Sequence, residues 1–487
     1  MLLFRNVIGQ HSFDFLYTTD ADNVVIDGAV DHEGNAVLVG RIGEASSTGT
    51  LDAFIMKVHP DGSYITKQYE LTDYNSAFNR VVILDNSNYM VLGAKGDSNN
   101  VYYYNYFWIV ILNQELEILS KKSYAINSYY TGLGAFMNAI IDNEGNIAVV
   151  CSVLEKVGPD HYFPDYAMYK LTQEGDTLLS RYYQYPFDQT PYELMRMPES
   201  NNLLLLGSRI THSAIPSIVI LNSEMEVIQS NSFSTNPLPP DPSSATKWLN
   251  ETDFLLAGTR QFQNKRYNNN YIAVFRANTS AELFEELVLS ATDTSIYGAW
   301  RKNITEANDS TIYVAGFQPN LNPNLPNTVF LFLIDSKMNL LGRKSFFIGD
   351  VSYHVWGILP MQDDGCLMML SRHENGYLKR DIYIRKYLRE DFEILTHLTE
   401  LPAAALNSKA WPNPADDVLH ISLENLPQDS EFRLQIYNTA GQKYFDKAFT
   451  ASANSVQCHI GVLPAGNYVY QLQTASGKAG SGTFIKQ

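Results

Sequence analysis

Cysteine is scarce in this sequence of 487 residues, which contains only Cys151, Cys366 and Cys458. The three are far apart and form no Cys-x-x-Cys pair, so the sequence predicts neither a disulfide framework nor a cysteine-based metal site. Cys151 and Cys366 lie inside apolar runs typical of strands, which favours buried thiols. Three cysteines do not by themselves fix the redox compartment.

Basic residues are also in deficit, with 35 Lys and Arg against 52 Asp and Glu, for a formal net charge of −17. No basic stripe is present to neutralise a phosphate backbone, so we expect no nucleic-acid partner. The acidic residues are spread through turns and are not gathered in a tail, a distribution that favours solubility.

Long apolar runs are missing as well. The longest, Phe107–Leu112, is far shorter than the roughly 20 residues that span a bilayer, so no transmembrane span is predicted. The opening residues Met1–Val7 lack a charged segment followed by a sufficient apolar segment, so we expect no signal peptide in the sequence as it stands.

Motifs for catalysis and metal binding are absent too. The ten histidines are scattered, without a His-Glu-x-x-His pattern, and no Gly-x-Ser-x-Gly elbow or phosphate loop occurs. Carboxylates do recur at turns, but a calcium site needs several oxygens at one point, whereas single turn carboxylates are typical of hairpins. We therefore assign no catalytic residue, no metal and no cofactor, which favours a binding protein over an enzyme. The turn carboxylates are Asp31, Asp142, Glu174, Asp363 and Asp364.

Aromatic and turn-forming residues, by contrast, are plentiful. The sequence has 31 Tyr and 24 Phe, which favour strands. Asn, Asp, Gly, Ser and Pro interrupt it at short intervals, and long helical periodicity is hard to find. This combination predicts an all-β protein.

One pattern repeats along most of the chain. Asp31–Gly40 reads as a polar turn, a short apolar strand and a small residue, and Asp142–Cys151 repeats it. Aligned copies are 51 to 58 residues apart, a spacing that indicates a repeat architecture. With four strands in each unit, the pattern predicts a seven-bladed β-propeller over residues 1–398; an open β-solenoid is the alternative, although its coils are usually much shorter. The aligned small residues are Gly40, Gly93, Cys151, Gly207, Gly258, Gly316 and Leu370.

The ends of the repeat region leave the ring closure open. Met1–Ile8 resembles the fourth strand of a unit, and pairing it into the last blade would remove both exposed sheet edges. Phe392–Leu398 is an equally suitable fourth strand for that blade. The first full unit is predicted to begin near Val24, with its second strand over Ala36–Gly40.

Two groups of residues are candidates for ligand binding on the predicted propeller. Loops that follow the second and fourth strands emerge on one face, and they are long and rich in tyrosine, whose flat ring and polar edge suit sugar rings or peptides; packing between blades is the alternative role. First strands line the central channel, where arginines at the mouth would bind an anionic ligand; solvation in a water-filled channel is the alternative. The loop candidates are Tyr102, Tyr103, Tyr104, Tyr129, Tyr130 and Tyr162, and the channel candidates are Arg80, Arg196 and Arg301, with Asp27, Asn138 and Lys247 nearby.

The pattern changes near residue 400. Residues 399–410 read as a linker, and residues 411–487 contain six or seven short strands with closely spaced turns, which predicts a small Ig-like β-sandwich. Short motifs occur in a fixed order through this module and end at the final residues. Their key residues are Pro412, Asn413, Pro414, Asn438, Gly441, Gly466, Tyr468 and Lys486.

By these motifs, the module resembles the type A C-terminal sorting domain of the Bacteroidetes type IX secretion system. The resemblance implies recognition by the secretion machinery, passage across the outer membrane, and then release or attachment to surface lipopolysaccharide. It also implies a Sec signal peptide, which Met1–Val7 do not provide. We therefore expect a secreted or cell-surface protein associated with the outer membrane.

Two functions follow from these patterns. The first is an exported binding or adhesion protein that presents a propeller face to a glycan or protein ligand. The second is an exported hydrolase or lyase with acid and base residues around the channel mouth, which requires convergent carboxylates or a histidine beside a carboxylate.

Overall fold

The computed structural model describes residues 11–43, 50–71, 74–97, 104–127, 130–156, 162–183, 188–210, 214–233, 241–263, 268–289, 295–308, 310–318, 327–347, 351–374, 379–392, 408–423, 431–438, 443–450, 455–474 and 479–487. Described residues up to 392 form one compact unit, and those from 408 onward form another. Within these ranges the only helical element is a single 3-10 turn, Arg389–Asp391. The all-β prediction is therefore confirmed.

The first unit is built from short antiparallel strands. In chain order they are β1 (Phe13–Tyr17), β2 (Asp22–Val30), β3 (Ala36–Gly43), β4 (Leu51–Val58), β5 (Tyr64–Tyr69), β6 (Tyr74–Ile83), β7 (Tyr89–Asp97), β8 (Tyr106–Leu112), β9 (Ile118–Ala125), β10 (Tyr130–Ile141), β11 (Ile147–Lys156), β12 (Tyr162–Leu171), β13 (Thr177–Tyr183), β14 (Asp188–Arg196), β15 (Leu203–Ile210), β16 (Ala214–Leu221), β17 (Val227–Ser232), β18 (Asp241–Trp248), β19 (Asp253–Gln263), β20 (Asn268–Asn278), β21 (Leu283–Val288), β22 (Tyr297–Gly298), β23 (Ile304–Asn308), β24 (Thr311–Gln318), β25 (Thr328–Ile334), β26 (Leu340–Phe346), β27 (Val351–Pro360), β28 (Cys366–Glu374) and β29 (Asp381–Tyr387).

These strands form seven sheets among the described residues. Their hydrogen-bonded orders are β2-β3-β4-β5 (sheet I), β6-β7-β8-β9 (sheet II), β10-β11-β12-β13 (sheet III), β14-β15-β16-β17 (sheet IV), β18-β19-β20-β21 (sheet V), β22-β24-β25-β26 with β23 beside β24 (sheet VI), and β27-β28-β29-β1 (sheet VII).

The first strands of successive sheets contact one another in a cyclic series. β2 contacts β6, the contacts continue through β10, β14, β18 and β23 to β27, and β27 contacts β2 again. The apolar core lies between neighbouring sheets, as in the cluster that joins Val39 and Ile55 of sheet I to Phe78 and Val110 of sheet II. This cyclic stack of antiparallel sheets is propeller-like.

The strand that completes sheet VII is β1. It pairs antiparallel with β29, from Phe13 opposite Lys386 to Tyr17 opposite Ile382. The sequence left this position open between Met1–Ile8 and Phe392–Leu398, and the structure places residues 13–17 there; residues 1–8 lie outside the described residues. The alternative strand, Phe392–Leu398, falls largely outside them as well, and Phe392 itself packs into the core of sheets VI and VII.

In every sheet except sheet VI, the residue that marks the repeat pairs at the edge of a β-bulge in the first strand. Gly40 pairs with Val25, and the register then shifts so that Asp27 faces Val39. A Cβ atom on Gly40 would lie 1.9 Å from the carbonyl oxygen of Val24. The glycine thus allows the bulged strand to approach its neighbour closely.

Buried lysines of the third strands neutralise the repeating turn carboxylates. Nζ of Lys57 lies 4.0 Å from Oδ2 of Asp31, Nζ of Lys170 lies 3.4 Å from Oδ2 of Asp142, and Lys386 pairs with Asp363. Asp31 Oδ1 also accepts the backbone N–H groups of its own turn. These carboxylates therefore belong to the scaffold.

The second unit consists of two sheets. Its strands are β30 (Ser408–Trp411), β31 (Val418–Leu423), β32 (Glu431–Asn438), β33 (Lys443–Thr450), β34 (Ser455–His459), β35 (Gly466–Thr474) and β36 (Ala479–Lys486). The sheets are ordered β30-β31-β34 and β33-β32-β35-β36. Leu419 and Val456 of the first sheet share one apolar core with Leu434 and Phe484 of the second.

Candidate functional site

The first strand of sheet VI is interrupted between β22 and β23. The residues of the interruption include the charged side chains Arg301 and Lys302. β22 ends at Gly298 and β23 begins at Ile304, and the middle three of the five residues between them, 300–302, bond to β27 of the next sheet. The N–H groups of Trp300 and Arg301 donate to the carbonyls of Val355 and Trp356, each at 3.0 Å. We call residues 299–303 the central excursion.

A glycine makes this excursion possible. The carbonyl of Lys302 accepts the N–H of Ile358 at 2.9 Å, so the backbone of Lys302 runs directly against Gly357. A Cβ atom on Gly357 would lie 3.1 Å from each of the N, O and Cβ atoms of Lys302. The glycine therefore keeps space for the excursion beside β27.

A buried network of charges extends from the excursion. Oδ1 of Asp27 lies 3.2 Å from Nζ of Lys302 and 3.3 Å from Nη1 of Arg80, and its Oδ2 accepts the N–H of Val81 at 3.2 Å. Arg80 also donates from Nε and Nη2 to the carbonyl of Ala139, and its Nη2 lies 3.9 Å from Oε1 of Glu193. Side chains from sheets I, II and IV, a backbone carbonyl from sheet III and Lys302 of the excursion therefore meet in this network.

The network shifts the pKa values of its two carboxyl groups, Asp27 and Glu193, in opposite directions. Burial alone would raise the pKa of Asp27, but Arg80, Lys302 and the N–H of Val81 outweigh burial and lower it. The pKa of Glu193 is raised, chiefly by burial and also by the nearby charge of Asp27. Arg80 and Lys302 act in the opposite direction but do not cancel this rise. The pKa of Lys302 is lowered by burial and by Arg80. Asp27 is thus held ionised between two cations.

A cavity of about 430 Å³ lies beside the network. Its walls come from the final residues of the first strands of sheets I to IV and from Lys302, so it is at the end of the cyclic series that carries the turns after first and third strands. Arg80, Arg196 and Lys302 line it, and Asp85 is the carboxylate among its described lining residues. The cavity therefore has an excess of positive charge.

The structure brings together two of the three predicted arginines. Arg80 and Arg196 line the cavity, but at the end opposite the long loops where the channel mouth was predicted. Arg301 is not among the lining residues; its guanidinium lies 4.8 Å from the centre of the Phe136 ring, and burial lowers its pKa to about 10. Arg80 and Asp27 are buried in ion pairs and are not freely solvated.

The predicted tyrosines are not gathered into a site by the described residues. Tyr102, Tyr103 and Tyr129 lie outside those residues, while Tyr130 and Tyr162 begin β10 and β12, where only their backbone is described. Tyr104 is partly buried against the core of sheets II and III, and burial raises its pKa.

Two members of the charge network, Glu193 and Lys302, were not singled out from the sequence. Glu193 follows a bulge at Tyr192, which has no sequence signature, and Lys302 lies in the central excursion. The three consecutive polar residues Arg301, Lys302 and Asn303 break the alternation of a strand and were the available signal.

The second unit joins its opening motif to its last strand. Asn413 accepts the N–H of Ile485 on Oδ1 at 2.9 Å, between Pro412 and Pro414, and Gly466 pairs with Lys486 across β35 and β36. Tyr468 stacks on Phe484 with ring centres 5.5 Å apart. Asn438 ends β32, and Gly441 lies outside the described residues. Motif residues distant in sequence are therefore adjacent.

Solved structures resemble the chain only distantly. A fungal alcohol oxidase of the AA5 family, in complex with copper, is 10% identical with a TM-score of 0.46, covering 97% of this chain and 99% of that chain. The polysaccharide lyase Uly1 is 10% identical with a TM-score of 0.45, covering 76% and 91%. The β-propeller domain of the Trilobed protease from Pyrococcus furiosus is 10% identical with a TM-score of 0.42, covering 78% and 100%. Similarity at this level carries no argument about activity.

No curated protein sequence matches the chain. In the part of the chain that the structure describes, no helix is long and apolar enough to cross a membrane. Among those same residues, no three His, Cys, Asp or Glu side chains converge as metal ligands.

The C-terminal module has a clear family assignment. Residues 409–487 match the family described as the secretion system C-terminal sorting domain, which confirms the resemblance seen in the motifs. A domain of this family implies interaction with the secretion machinery and export to the cell surface or the medium. Residues 409–487 of this chain are a secretion system C-terminal sorting domain.

Proposed function

We propose that the chain is an exported binding protein whose seven sheets are the blades of a single β-propeller, and which takes a carboxylate-bearing ligand in the cavity beside the charge network. The observation that carries this proposal is the lining of the cavity by Arg80, Arg196 and Lys302. Three cations in one concave site favour an anionic ligand.

The cations differ in how they are held. Arg80 and Lys302 are fixed by Asp27 and by backbone carbonyls, so a ligand need not order them on binding. Arg196 is exposed, and among the described residues it makes no ion pair. Its guanidinium is available for a paired hydrogen bond to a carboxylate.

The alternative function, an exported hydrolase or lyase, is favoured by one observation. Asp27 and Glu193 have pKa values shifted in opposite directions, as in paired acid and base residues. However, neither residue lines the cavity, and Asp85, which does, accepts a hydrogen bond from Nε2 of Gln173 at 2.7 Å. The geometry thus supports binding better than acid–base chemistry.

In this proposal, the sorting domain determines where in or outside the cell the protein acts. We propose that residues 1–398 form the propeller, residues 399–410 the linker and residues 411–487 an Ig-like sandwich that engages a type IX machinery in a bacterium of the Bacteroidetes. The propeller would then act in the medium or at the outer membrane. Glycan or protein binding by the tyrosine-rich loops remains a prediction.

The test compares two arginine variants of the full chain. Binding of hexagalacturonate, hexaglutamate and neutral maltohexaose is measured by calorimetry for wild type, Arg196→Gln and the control Arg343→Gln, an exposed arginine of β26. We expect a carboxylate-bearing probe to bind, weakening as salt rises, and Arg196→Gln to lower affinity about tenfold, or ~1.4 kcal/mol.

Two results would contradict the proposal. One is binding of maltohexaose alone, and the other is equal affinity of the two variants for the anionic probes. Cleavage of hexagalacturonate during the titration, seen as new chain ends by mass spectrometry, would establish the lyase or hydrolase function instead.

A further inference from the structure

A second group of side chains is directed by the bulges of the first strands. The bulges of sheets III, IV and VII each contain one aromatic residue: Phe136, which follows Gly134 and Ala135 in the sheet III bulge, Tyr192 and Trp356. A bulge turns its extra residue out of the regular alternation of the strand. The central excursion of sheet VI adds Trp300 to this aromatic set.

Serine residues of the second strands hold these bulges in place. Each serine follows the aligned small residue of its repeat. Ser208 donates from Oγ to Tyr192 Oη at 3.2 Å, and Trp356 donates from Nε1 to Ser371 Oγ at 2.7 Å. The rings of Tyr192 and Trp356 are therefore oriented before any ligand arrives, which lowers the entropic cost of binding.

Trp300 and Trp356 belong to a larger group of neighbouring aromatic rings. The Trp300 ring centre lies 6.3 Å from that of Trp356 and 6.4 Å from that of His354, and Phe317 connects His354 to Tyr297. Although its neighbours are largely covered, Trp300 is 54% exposed and Tyr297 is 37% exposed. We call these five residues the aromatic patch.

The aromatic patch carries no uncompensated charge at neutral pH. Burial, with His373 and Arg380, lowers the pKa of His354 to about 4, so its imidazole is neutral. Arg380 is occupied by Asp22, with Nε–Oδ1 and Nη2–Oδ2 distances of 2.9 and 2.6 Å. The patch thus offers flat apolar rings with neutral polar edges, in contrast to the cationic cavity.

We infer that the aromatic patch binds an uncharged saccharide, with one sugar ring stacked on the exposed indole of Trp300. The C–H face of a sugar ring suits an indole face, and the hydroxyl groups around the ring suit the neutral imidazole of His354 and the indole N–H of Trp300. A peptide strand is disfavoured because the N–H groups of Trp300 and Arg301 already bond to β27. This site is separate from the cavity, and the inference does not depend on the function proposed for the cavity.

Tryptophan fluorescence of the full chain tests the inference. The probes are maltohexaose, cellohexaose, xylohexaose, mannohexaose and chitohexaose, titrated into wild type, Trp300→Ala and Trp411→Phe, the last replacing the exposed tryptophan of the second unit. We expect at least one hexaose to shift the emission of wild type and Trp411→Phe alike. Trp300→Ala should lose at least tenfold in affinity for the same probe, measured by calorimetry.

The failures of the two proposals are distinguishable. Trp300→Ala should keep its affinity for hexagalacturonate, and Arg196→Gln should keep its affinity for the neutral hexaose. Absence of binding by all five hexaoses, or unchanged affinity in Trp300→Ala, would overturn the saccharide site. The saccharide site would also be overturned if hexaglutamate, and none of the sugars, changed the Trp300 emission.

Discussion

Asp27 and Glu193 lie at similar depth in the protein but differ in their affinity for protons. Asp27 has two cations within 3.3 Å and a backbone N–H, whereas the cation nearest to Glu193 is 3.9 Å away. Burial disfavours the ionised form of both, and the difference in partners decides the direction of each shift. The pKa of a carboxyl group at this site thus depends more on the cations and N–H groups around it than on whether it belongs to Asp or Glu.

His354 gives a residue-scale prediction about pH. Its folded pKa of about 4 lies below its ordinary value of 6.5, so the unfolded state binds more protons between these values and the free energy of unfolding falls as pH decreases from 6.5 to 4. His354→Phe should flatten this decline in urea unfolding curves recorded by fluorescence. The matched control His32→Phe replaces an exposed histidine and should keep the wild-type slope; equal slopes in both variants would contradict the assignment.

At the scale of elements, the sequence predicts regular strands well and irregular ones poorly. The second strand predicted at Ala36–Gly40 is observed at Ala36–Gly43, because alternation and a glycine are local signals. The bulges at Asn79 and Tyr192 depend on pairing with a neighbouring strand. Residues 301–303 break the alternation of a strand in the sequence, but the pairing of residues 300–302 with β27 is a tertiary effect.

The same limits apply to the candidate site. Arg80 and Arg196 were predictable as charged residues of first strands, because a charge on an innermost strand stands out in an apolar segment. The cavity lies at the end of the sheets that carries the turns after first and third strands. This position was not predictable, because it depends on where Lys302 lies in the central excursion. The tyrosine-rich loops drew attention by composition, and Tyr104 shows that such a residue also serves packing.

The central excursion gives an element-scale prediction. Gly357→Ala places a methyl group against the backbone and Cβ of Lys302, so it should destabilise the first unit by about 1–3 kcal/mol and weaken hexagalacturonate binding by displacing Lys302. Thermal unfolding and calorimetry measure the two effects. Gly466→Ala, whose new Cβ would be 3.8 Å from the nearest atom, is the control and should change neither; wild-type behaviour of Gly357→Ala would show that the excursion relaxes at no cost.

At the scale of the whole molecule, targeting and binding are assigned to different units. The sorting-domain match covers residues 409–487, while the cavity and the aromatic patch are built entirely from residues before 392. Each unit has its own apolar core. Changes in the sorting domain should therefore alter where the protein is found without altering what it binds.

Removal of residues 409–487 tests this division. Both chains are expressed behind the same Sec signal in a host with a type IX system. The truncated chain should stop in the periplasm, because the part that the machinery recognises is gone, while the full chain reaches the surface or the medium. Immunoblots of cell, surface and medium fractions measure the distribution. A reporter carrying residues 409–487 behind a Sec signal is the positive control, and equal surface amounts of truncated and full chains would refute the role of the domain.

The pairing of β1 with β29 also bears on the order in which the protein folds. Tyr17 and its partner Ile382 are 365 residues apart in the chain, and loop-closure entropy grows only slowly with such a separation. A chain still emerging from a ribosome or a translocon has the first of these strands long before the second. Until β29 arrives, β1 has no partner, and until β1 pairs with it, β29 presents an open edge that invites intermolecular pairing. Pairing of β1 with β29 therefore requires that the chain has emerged at least as far as β29.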